Sequence, residues 1–291
     1  MNSSQFIAVD LDGTVTFTDT LYESILALLR QKPFFLLLLP LWLLKGIAFL
    51  KSKVAEKCIL DVSILPYNLP LIDWLKKQKA NGKKIILCTA ANERVALAVS
   101  KHLKLFDSVI ASDINTNLKS INKRNALEEK FGKKGYDYAG NSSSDIEVWA
   151  GACNAIVVNA SNRVLSKSMQ VASVSHTFPP KQITLYDWAR ALRIHQWLKN
   201  LLLFIPLIAA HQFNNIQSLT ILGLAFISFS LCASSVYITN DLLDLESDRR
   251  HPRKRYRPFA SAKLPIALGL PIAFLLVGLS IILAVFVNID F

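Results

Sequence analysis

This sequence contains few cysteines and fewer acidic than basic residues, and it has no internal repeat or low-complexity tract. Its four cysteines lack the spacing of a metal site or of a disulfide framework, so we expect no zinc site and thiols that stay reduced on the cytosolic side. The first residues, MNSSQFIAVDLDGT, lack the basic start and the following apolar core of a secretory signal. We therefore expect no such signal before the first domain.

The shortage of acids leaves 33 Lys and Arg against 21 Asp and Glu, a formal net charge of +12. Such an excess is typical of proteins that bind nucleic acid, anionic lipid or a phosphorylated substrate. Hydrophobic residues make up 52% of the 291 residues. A chain of this length and composition predicts about two domains, one of them in lipid.

Three apolar runs in the last third of the chain are candidate membrane spans, at about 197–211, 218–239 and 265–288. The last two are long enough to cross about 30 Å of hydrocarbon as helices, whereas the first is short. Basic residues precede the first run and fill 249–263, so the positive-inside rule places both flanks in the cytoplasm and Phe291 on the opposite side. We expect a multi-pass protein of the cytoplasmic membrane whose N-terminal domain is cytoplasmic.

Acids precede bases in the segment NDLLDLESDRRHPRKRYRP, which begins at Asn240. On a helix, one face would carry Asn240, Asp241, Asp244 and Asp248. Three carboxylates on one face repel one another unless a cation joins them, and Mg²⁺ binds a few carboxylates together with substrate phosphates. The bases that follow would hold the phosphates. A basic loop of this kind can also be a topology determinant or an anionic-lipid contact, and that alternative stays open.

The stretches LRIHQWLKNLLLFIPL and SSVYITNDLLDLESDRRHPRKRYRPFAS resemble the first part of the UbiA-type polyprenyltransferase superfamily. The HPxKxxRPxAS continuation is similar to the branch that contains decaprenyl-phosphate phosphoribosyltransferase. The resemblance implies a helical membrane enzyme that binds Mg²⁺ and a diphosphate-bearing donor, which in this branch is phosphoribosyl pyrophosphate, with a polyprenyl phosphate as acceptor. The implied metal ligands are Asn240, Asp244 and Asp248, and the implied donor contacts are these three with Asp241, Arg193, Lys199, Lys254 and Arg257.

This resemblance covers residues 186–291, about the last third of the chain. The family it implies has roughly nine spans around a cavity and a second aspartate motif, whereas three candidate spans are visible here. The expectation is therefore an incomplete UbiA-type helical bundle, with half of its site missing.

The N-terminal half alternates apolar strands with helical patterns. A buried strand over residues 6–9 leads directly into Asp10 and Asp12, and further strands are predicted at 84–88, 108–111, 136–139 and 155–159. This alternation predicts a parallel α/β sheet. Ligands of such sheets bind beyond the carboxyl ends of the strands, where Asp10, Thr89 and Asn141 are expected to lie.

These motifs, over residues 1–165, resemble the haloacid dehalogenase phosphatase superfamily, which implies a Rossmann-like domain with a helical cap at about 15–82. By this resemblance Asp10 is the nucleophile that forms an aspartyl phosphate and Asp12 is the general acid and base. Thr89 would bind the phosphoryl group. A lysine would stabilise its charge, and of the two in NLKSINKRNAL we prefer Lys123 over Lys119 because Lys123 opens the predicted helix at 124–131.

The fourth motif of that family is GDxxxD, and here it is Gly140-Asn141-Ser-Ser-Ser-Asp145. Asn141 offers Mg²⁺ a carbonyl oxygen with one negative charge fewer than aspartate. The implied metal ligands are Asp10, Asp12, Asn141 and Asp145. Without the other motifs, DxDGT would more simply be a turn with capping aspartates.

Two further segments have competing interpretations. The apolar run at 34–50 has the composition of a membrane span, but Pro40, Lys45 and its place between two motifs of one domain favour a cap helix that lies on the membrane, with Trp42 and Lys45 near the headgroups. The Ser, Lys and Gln residues of 166–185, together with Pro179-Pro180, predict a linker.

The leading hypothesis is a phosphatase domain fused to a Mg²⁺-dependent, polyprenyl-handling transferase. Its partners would be membrane lipid, a polyprenyl phosphate and a phosphorylated donor, with no nucleic acid. One alternative is a membrane-anchored phosphatase with a remnant transferase region. Another is a non-catalytic subunit that assembles with a protein supplying the missing spans.

Overall fold

A computed structural model of the protein describes residues 4–211 and 214–287. The chain forms two compact units, Met1–Lys181 and Gln182–Phe291.

A six-stranded parallel sheet in the order β3-β2-β1-β4-β5-β6 is the centre of the first unit. Its strands are β1 Phe6–Val9, β2 Lys84–Asn92, β3 Ser108–Ser112, β4 Tyr136–Gly140, β5 Asn154–Val158 and β6 Ser173–Phe178. Side chains alternate between two cores: Ile7 and Val9 lie in one, and Ala8 in the other. The apolar composition of β1 and β5 follows from this, since a parallel sheet is covered on both faces. The predicted α/β fold class is confirmed.

Helices cover both faces of this sheet and fill the insertion between its first two strands. The insertion holds α1 Thr20–Gln31, α2 Leu39–Leu44, α3 Ile47–Lys57 and α4 Leu69–Ala80, with 3₁₀ turns at Pro33–Leu38 and Val62–Ile64. The remaining helices are α5 Glu93–Leu103, α6 Ile121–Phe131, α7 Ile146–Gly151 and α8 Asn162–Val171. Within the insertion, α1 and α3 share a small core of their own, formed by Ala27, Leu28, Leu50, Val54 and Cys58.

The linker predicted at 166–185 is wrong for most of its length. Residues up to Val171 belong to α8, and Ser173–Phe178 form the edge strand β6, which pairs in parallel with β5. The polar composition that suggested a linker reflects exposure, because an edge strand and a surface helix both present polar side chains to water. Segment composition alone could not distinguish the two.

The second unit consists of helices: α9 Leu185–Ala191, α10 Ile205–Ala209, α11 Ile216–Leu243, α12 Leu245–Arg250 and α13 Ile266–Val287, with 3₁₀ segments at Ile194–Phe204 and Lys254–Tyr256. Among the described residues, α11 and α13 are long and apolar enough to cross a membrane. The first predicted span is a shorter apolar stretch, Ile194–Ala209, in which a 3₁₀ helix precedes α10. The predicted end of the third span at 288 and the predicted position of Phe291 lie outside the described residues.

Small residues let α11 and α13 approach closely. The Ser228 hydroxyl donates to the carbonyl of Ser280 at 2.8 Å, and the Ser280 hydroxyl donates to the carbonyl of Ser228 at 2.8 Å. A Cβ atom at Gly269 would lie 2.6 Å from a methyl group of Leu242. Close backbone contact through small residues, with hydroxyl hydrogen bonds, is the usual basis of helix association in lipid.

Candidate functional sites

A cavity of about 400 Å³ opens at the carboxyl ends of β1 and β4. The backbone N–H of Asp10, the first residue after β1, donates to the carbonyl of Ala139 at 2.9 Å. This continues the strand pairing by one residue and fixes the Asp10 backbone at the edge of the sheet. Residues that line the cavity include Asp10, Asp12, Gly13, Phe17, Asp19, Lys51, Lys119, Lys123, Asn141, Ser142 and Asn159.

Lys123, which we preferred over Lys119, is paired with two carboxylates. Its side chain, 3% exposed, lies with Nζ 2.9 Å from Oδ1 of Asp10 and 3.6 Å from Oδ1 of Asp145. The same ammonium donates to the hydroxyl of Tyr138 at 2.8 Å. Lys119 also lines the cavity. A buried cation held by two carboxylates and a hydroxyl has a fixed position, as stabilisation of developing phosphoryl charge requires.

Both carboxylate oxygens of Asp145 already accept hydrogen bonds within the protein. Oδ1 accepts from the Tyr138 hydroxyl at 2.8 Å, and Oδ2 accepts from the backbone N–H groups of Asn141 at 3.1 Å and Ser142 at 2.9 Å. Asp145 is also not among the residues that line the cavity. In the structure this carboxylate fixes the loop after β4 and the lysine, rather than facing the cavity as a metal ligand would.

The protonation of the two DxD carboxyls is shifted by their surroundings. Burial raises the pKa of Asp10, while the charge of Lys123 opposes that rise. Burial, followed by the negative charge of Asp19, raises the pKa of Asp12 to about 7, although the N–H of Thr20 donates to its Oδ1 at 2.8 Å. Burial would lower the pKa of Lys123, but the carboxylates of Asp10 and Asp145 outweigh this and raise it. Near neutral pH the first acid therefore has a charged partner, and the second can hold a proton.

Gly13 permits the close approach of the two loops that form the cavity. Its φ is +73°, and a Cβ atom there would lie 2.0 Å from Nδ2 of Asn141. Any residue other than glycine at this position would therefore displace Asn141 and strain the backbone. The side-chain amide of Asn159 donates to the Gly13 carbonyl at 3.3 Å and so also holds the turn at Gly13.

Thr89 is not among the residues that line the cavity. β2 continues to Asn92 rather than ending at residue 88, so Thr89 is inside the strand, where it is fully buried. Its Oγ1 accepts a hydrogen bond from the N–H of Ala91 at 3.0 Å, and Ala90 lines the cavity in its place. The strand prediction missed this because the polar threonine suggested an early end to the apolar run.

Lys51 is a residue that sequence reasoning missed. It comes from α3 in the insertion, its Nζ donates to the carbonyl of Ala90 at 2.6 Å, and it lines the cavity. Burial lowers its pKa, against the opposing effect of the nearby Asp12, Asp19 and Asp10. No spacing rule connects it to the DxD motif, because only the folding of the insertion over the sheet brings the two together.

The oxygen atoms at the cavity suit Mg²⁺. Within residues 4–211 and 214–287, three or more His, Cys, Asp or Glu side chains do not converge on one point that could hold a metal. The cavity does offer two carboxylates, Asp10 and Asp12, and the amide of Asn141. Mg²⁺ usually keeps several waters and takes one or two carboxylates plus substrate phosphates, so this small set is adequate.

A second polar cluster lies where α11 ends in the second unit. The buried carboxylate of Asp241 accepts from Arg193 at 2.6 Å and from Arg257 at 3.2 Å. Arg257 also donates to Oδ2 of Asp248 at 2.7 Å. The guanidinium of Arg193 stacks 4.6 Å from the centre of the Tyr237 ring. Two of the predicted phosphate contacts therefore neutralise two of the predicted acids.

The remaining predicted members of this cluster are exposed. Asn240 and Asp244 lie at the solvent-accessible side of the helix end, and Lys199 and Lys254 are exposed as well. The predicted single face is thus divided into a buried pair and an exposed pair, because α11 gives way to α12 at Asp244. Oδ1 of Asp248 is buried and has no hydrogen-bond partner among the described residues. A buried carboxylate oxygen without a donor is a position that a cation would satisfy.

Comparison with known proteins identifies the second unit. Residues 201–291 match the UbiA prenyltransferase family. An uncharacterized protein, y4nM, of Sinorhizobium fredii is 34% identical over 262 residues, which are 89% of this chain and 50% of that protein. Decaprenyl-phosphate phosphoribosyltransferase of Corynebacterium glutamicum is 41% identical over 105 residues, which are 35% of this chain and 31% of that protein. The resemblance inferred from the NDxxDxxxD motif is confirmed.

The chain also has solved structures to which it is similar. A HAD family hydrolase from Salmonella enterica serovar Typhi has a TM-score of 0.44 and 14% sequence identity, over 60% of this chain and 68% of that one. The chain spans half the length of y4nM and about a third of the phosphoribosyltransferase.

Proposed function

We propose that the chain joins an Asp-nucleophile phosphatase to a UbiA-type region that binds a Mg²⁺-diphosphate donor at the membrane. The observation that carries the phosphatase is the buried ion pair of Asp10 and Lys123, 2.9 Å apart, in the wall of the cavity. A carboxylate nucleophile needs a neighbouring cation that favours its ionised form and offsets the charge of the incoming phosphoryl group.

The reaction proceeds in two steps on these residues. An oxygen of Asp10 attacks phosphorus, so that a new P–O bond forms as the bond to the leaving alcohol breaks and Asp12 gives that alcohol its proton. Asp12, now ionised, takes a proton from water, whose oxygen attacks phosphorus. The P–O bond to Asp10 breaks as the new one forms, so inorganic phosphate leaves and the Asp10 carboxylate is restored. A pKa of about 7 lets Asp12 serve as acid and then as base. Lys123 stays charged throughout and holds the phosphoryl oxygens.

Asp10 and the side-chain oxygen of Asn141 would hold Mg²⁺ beside the phosphoryl group, and Asp12 would add an oxygen ligand when it is ionised. The ion would offset the negative charge that the phosphoryl oxygens bring to two carboxylates. Asn141→Asp restores a third carboxylate, and we expect it to lower the Mg²⁺ concentration needed for half-maximal turnover.

The test is phosphate release by the purified full chain with Mg²⁺, across a panel of phosphomonoesters. Asp10→Asn should lower kcat by about a thousandfold or more, since removal of a nucleophile leaves little residual catalysis. Asp73→Asn, a change of an exposed carboxylate on α4, is the matched control and should leave turnover intact. Equal turnover in Asp10→Asn and Asp73→Asn would contradict the proposed nucleophile.

For the UbiA region, the proposed donor is phosphoribosyl pyrophosphate or a prenyl diphosphate, and the proposed acceptor is a polyprenyl phosphate. The supporting observation is the pairing of the buried Asp241 and Asp248 with the half-buried Arg257, together with Oδ1 of Asp248, which has no hydrogen-bond partner among the described residues. We propose that Asp248, with Asn240 and Asp244, takes up Mg²⁺ only when a diphosphate completes the coordination shell. Arg193 and Arg257 then exchange part of their carboxylate contacts for phosphate oxygens, which Arg grips in a bidentate manner.

Calorimetry of donor binding in detergent with Mg²⁺ tests this part. Asp248→Asn should weaken donor binding about tenfold or more, since a buried charge-assisted contact contributes roughly 1.5 to 3 kcal/mol. Glu246→Gln, two residues earlier and paired with Arg250 on the surface, is the control. Equal affinities for the wild type and Asp248→Asn would mean that the cluster only stabilises the helix end, and the chain would then be a membrane-anchored phosphatase.

A further inference from the structure

The insertion between β1 and β2 presents an unusually apolar surface. Large side chains stand out from the 3₁₀ turn and α2: Phe34 is 84% exposed, Leu37 78% and Leu44 85%. Leu41, Leu43 and Ile47 are exposed beside them, and we call these six residues the cap surface. Soluble proteins rarely expose a contiguous patch of this kind unless something binds it.

The cap surface has a fixed conformation, since the opposite side of the same segment is packed. Phe35, Leu36, Leu39 and Trp42 pack against the small core that includes Leu50. The rings of Phe35 and Trp42 lie 6.2 Å apart, and Lys57 stands 5.7 Å from the centre of the Phe35 ring. This segment therefore has apolar residues on two sides. One side packs against the small core, and the other has no partner in the described structure.

Basic residues lie at both ends of the cap surface. Residues 32–57 contain five lysines, one of which, Lys51, lines the cavity, and a single acid, Glu56, whose carboxylate is paired with Lys53 at 2.7 Å and Lys57 at 2.8 Å. Lys32 and Lys45 are exposed at either end of the apolar stretch, and Lys45 lies 5.3 Å from the centre of the Phe49 ring. Apolar side chains with a basic border suit an anionic lipid surface, whose headgroups attract the cations while the acyl chains accept the leucines.

The same chain supplies the second reason to choose lipid as the occupant. Because α11 and α13 are long and apolar enough to cross a bilayer, the first unit is tethered to a membrane. Tethering raises the effective concentration of lipid around the cap surface. Even a weak affinity for lipid would then keep the cap surface bound. The apolar stretch Pro33–Leu44 is too short to cross, since about 20 residues are needed.

We propose that the cap surface inserts into the headgroup and acyl boundary of an anionic bilayer, with Leu37 and Leu44 among the acyl chains and Lys32 and Lys45 at the phosphates. This contact is independent of the phosphatase and transferase chemistry proposed above. Its test therefore has no activity readout, and failure of either proposal leaves the other standing.

The experiment uses the full chain in vesicles of phosphatidylcholine and phosphatidylglycerol. Cys153 and Cys232 are replaced by serine, while Cys58 and Cys88 are buried and stay. A polarity-sensitive fluorophore is attached at Leu37→Cys or, in a separate protein, at Leu44→Cys. The matched control is Met169→Cys on α8, a residue that is 59% exposed in the same unit.

Quenching by spin-labelled lipid should be at least about twofold stronger at the cap positions than at the control, and quenching by aqueous iodide correspondingly weaker. Replacing phosphatidylglycerol by phosphatidylcholine should reduce the lipid quenching at both cap positions. Equal quenching at the cap and control positions would overturn the proposal. A third outcome is that the cap positions are shielded from iodide but not quenched by lipid, and that this shielding disappears when the protein is diluted in lipid. That outcome would overturn the proposal in favour of contact between copies of the chain.

Discussion

The Asp19→Asn substitution tests how the cavity sets the protonation of Asp12. Burial and then the charge of Asp19 raise the pKa of Asp12 from 3.8 to about 7. Asp19 is also the N-cap of α1, and its Oδ1 accepts from the N–H of Leu21 at 2.8 Å. Asparagine caps helices as well as aspartate does, so the substitution removes the charge and keeps the helix.

The size of the effect follows from the order of the two causes. Burial is the larger cause and is unchanged, and we expect loss of this one neighbouring charge to lower the pKa of Asp12 by about one unit. The proton donor is lost as pH rises through this pKa. With a pKa of about 7, roughly a tenth of Asp12 is protonated at about pH 8, and with a pKa of about 6 roughly a hundredth. Turnover of an alkyl phosphate should therefore fall up to about tenfold near pH 8 and remain little changed near pH 5.

The assay is kcat/KM against pH for the full chain with an alkyl phosphate, compared with an aryl phosphate whose leaving group needs no proton. Asp61→Asn is the matched control, because Asp61 caps the 3₁₀ turn Val62–Ile64 and accepts from the N–H of Ser63 at 2.9 Å. An alkaline limb in the same place for Asp19→Asn and Asp61→Asn would refute the reasoning. So would an equal shift with both substrates.

Three further predictions concern other parts of the chain. Lys123→Met should abolish phosphate release and cost roughly 3 to 5 kcal/mol of unfolding free energy in a denaturant titration, because a buried carboxylate loses its partner; Asp10→Asn in the same chain should recover part of that stability, and no recovery would argue against the pair. Gly13→Ala should raise the Mg²⁺ requirement by displacing Asn141, which a Mg²⁺ titration of turnover would measure; an unchanged requirement would separate Asn141 from the metal. A single cysteine at Ser261 should react with a membrane-impermeant reagent from the cytoplasmic side only, and reaction from the other side would reverse the proposed topology.

Local signals predicted the centre of the sheet well. The short apolar runs around Asp10 and Asn141 each became a buried strand, because the alternation of strands and helices leaves few arrangements besides a parallel sheet. One edge strand, β3, was predicted, whereas the other, β6, was missed, since it is polar and exposed and has the composition of a linker. The prediction therefore succeeded where burial decides the residue types and failed where solvent does.

The contacts made by long-range packing were beyond the reach of the sequence. Neither the approach of Lys51 to Ala90 nor the hydrogen bonds that turn Asp145 toward Tyr138 leave a spacing pattern. At the helix end, the NDxxDxxxD motif named Asp241 and Asp248 as candidate contacts, but it could not show that Arg257 pairs with both. Motifs name residue types, whereas the partner of each side chain depends on the packing of the folded chain.

Trapping of the phosphorylated intermediate tests the central claim most directly. The purified full chain would be mixed with Mg²⁺ and a phosphomonoester that it hydrolyses, and the reaction would then be quenched. Reduction with borohydride converts an acyl phosphate to an alcohol. Mass spectrometry should then find homoserine at Asp10 in the wild type, and neither homoserine nor phosphate release in Asp10→Asn. Phosphate release without modification at Asp10, or release that persists in Asp10→Asn, would contradict the account.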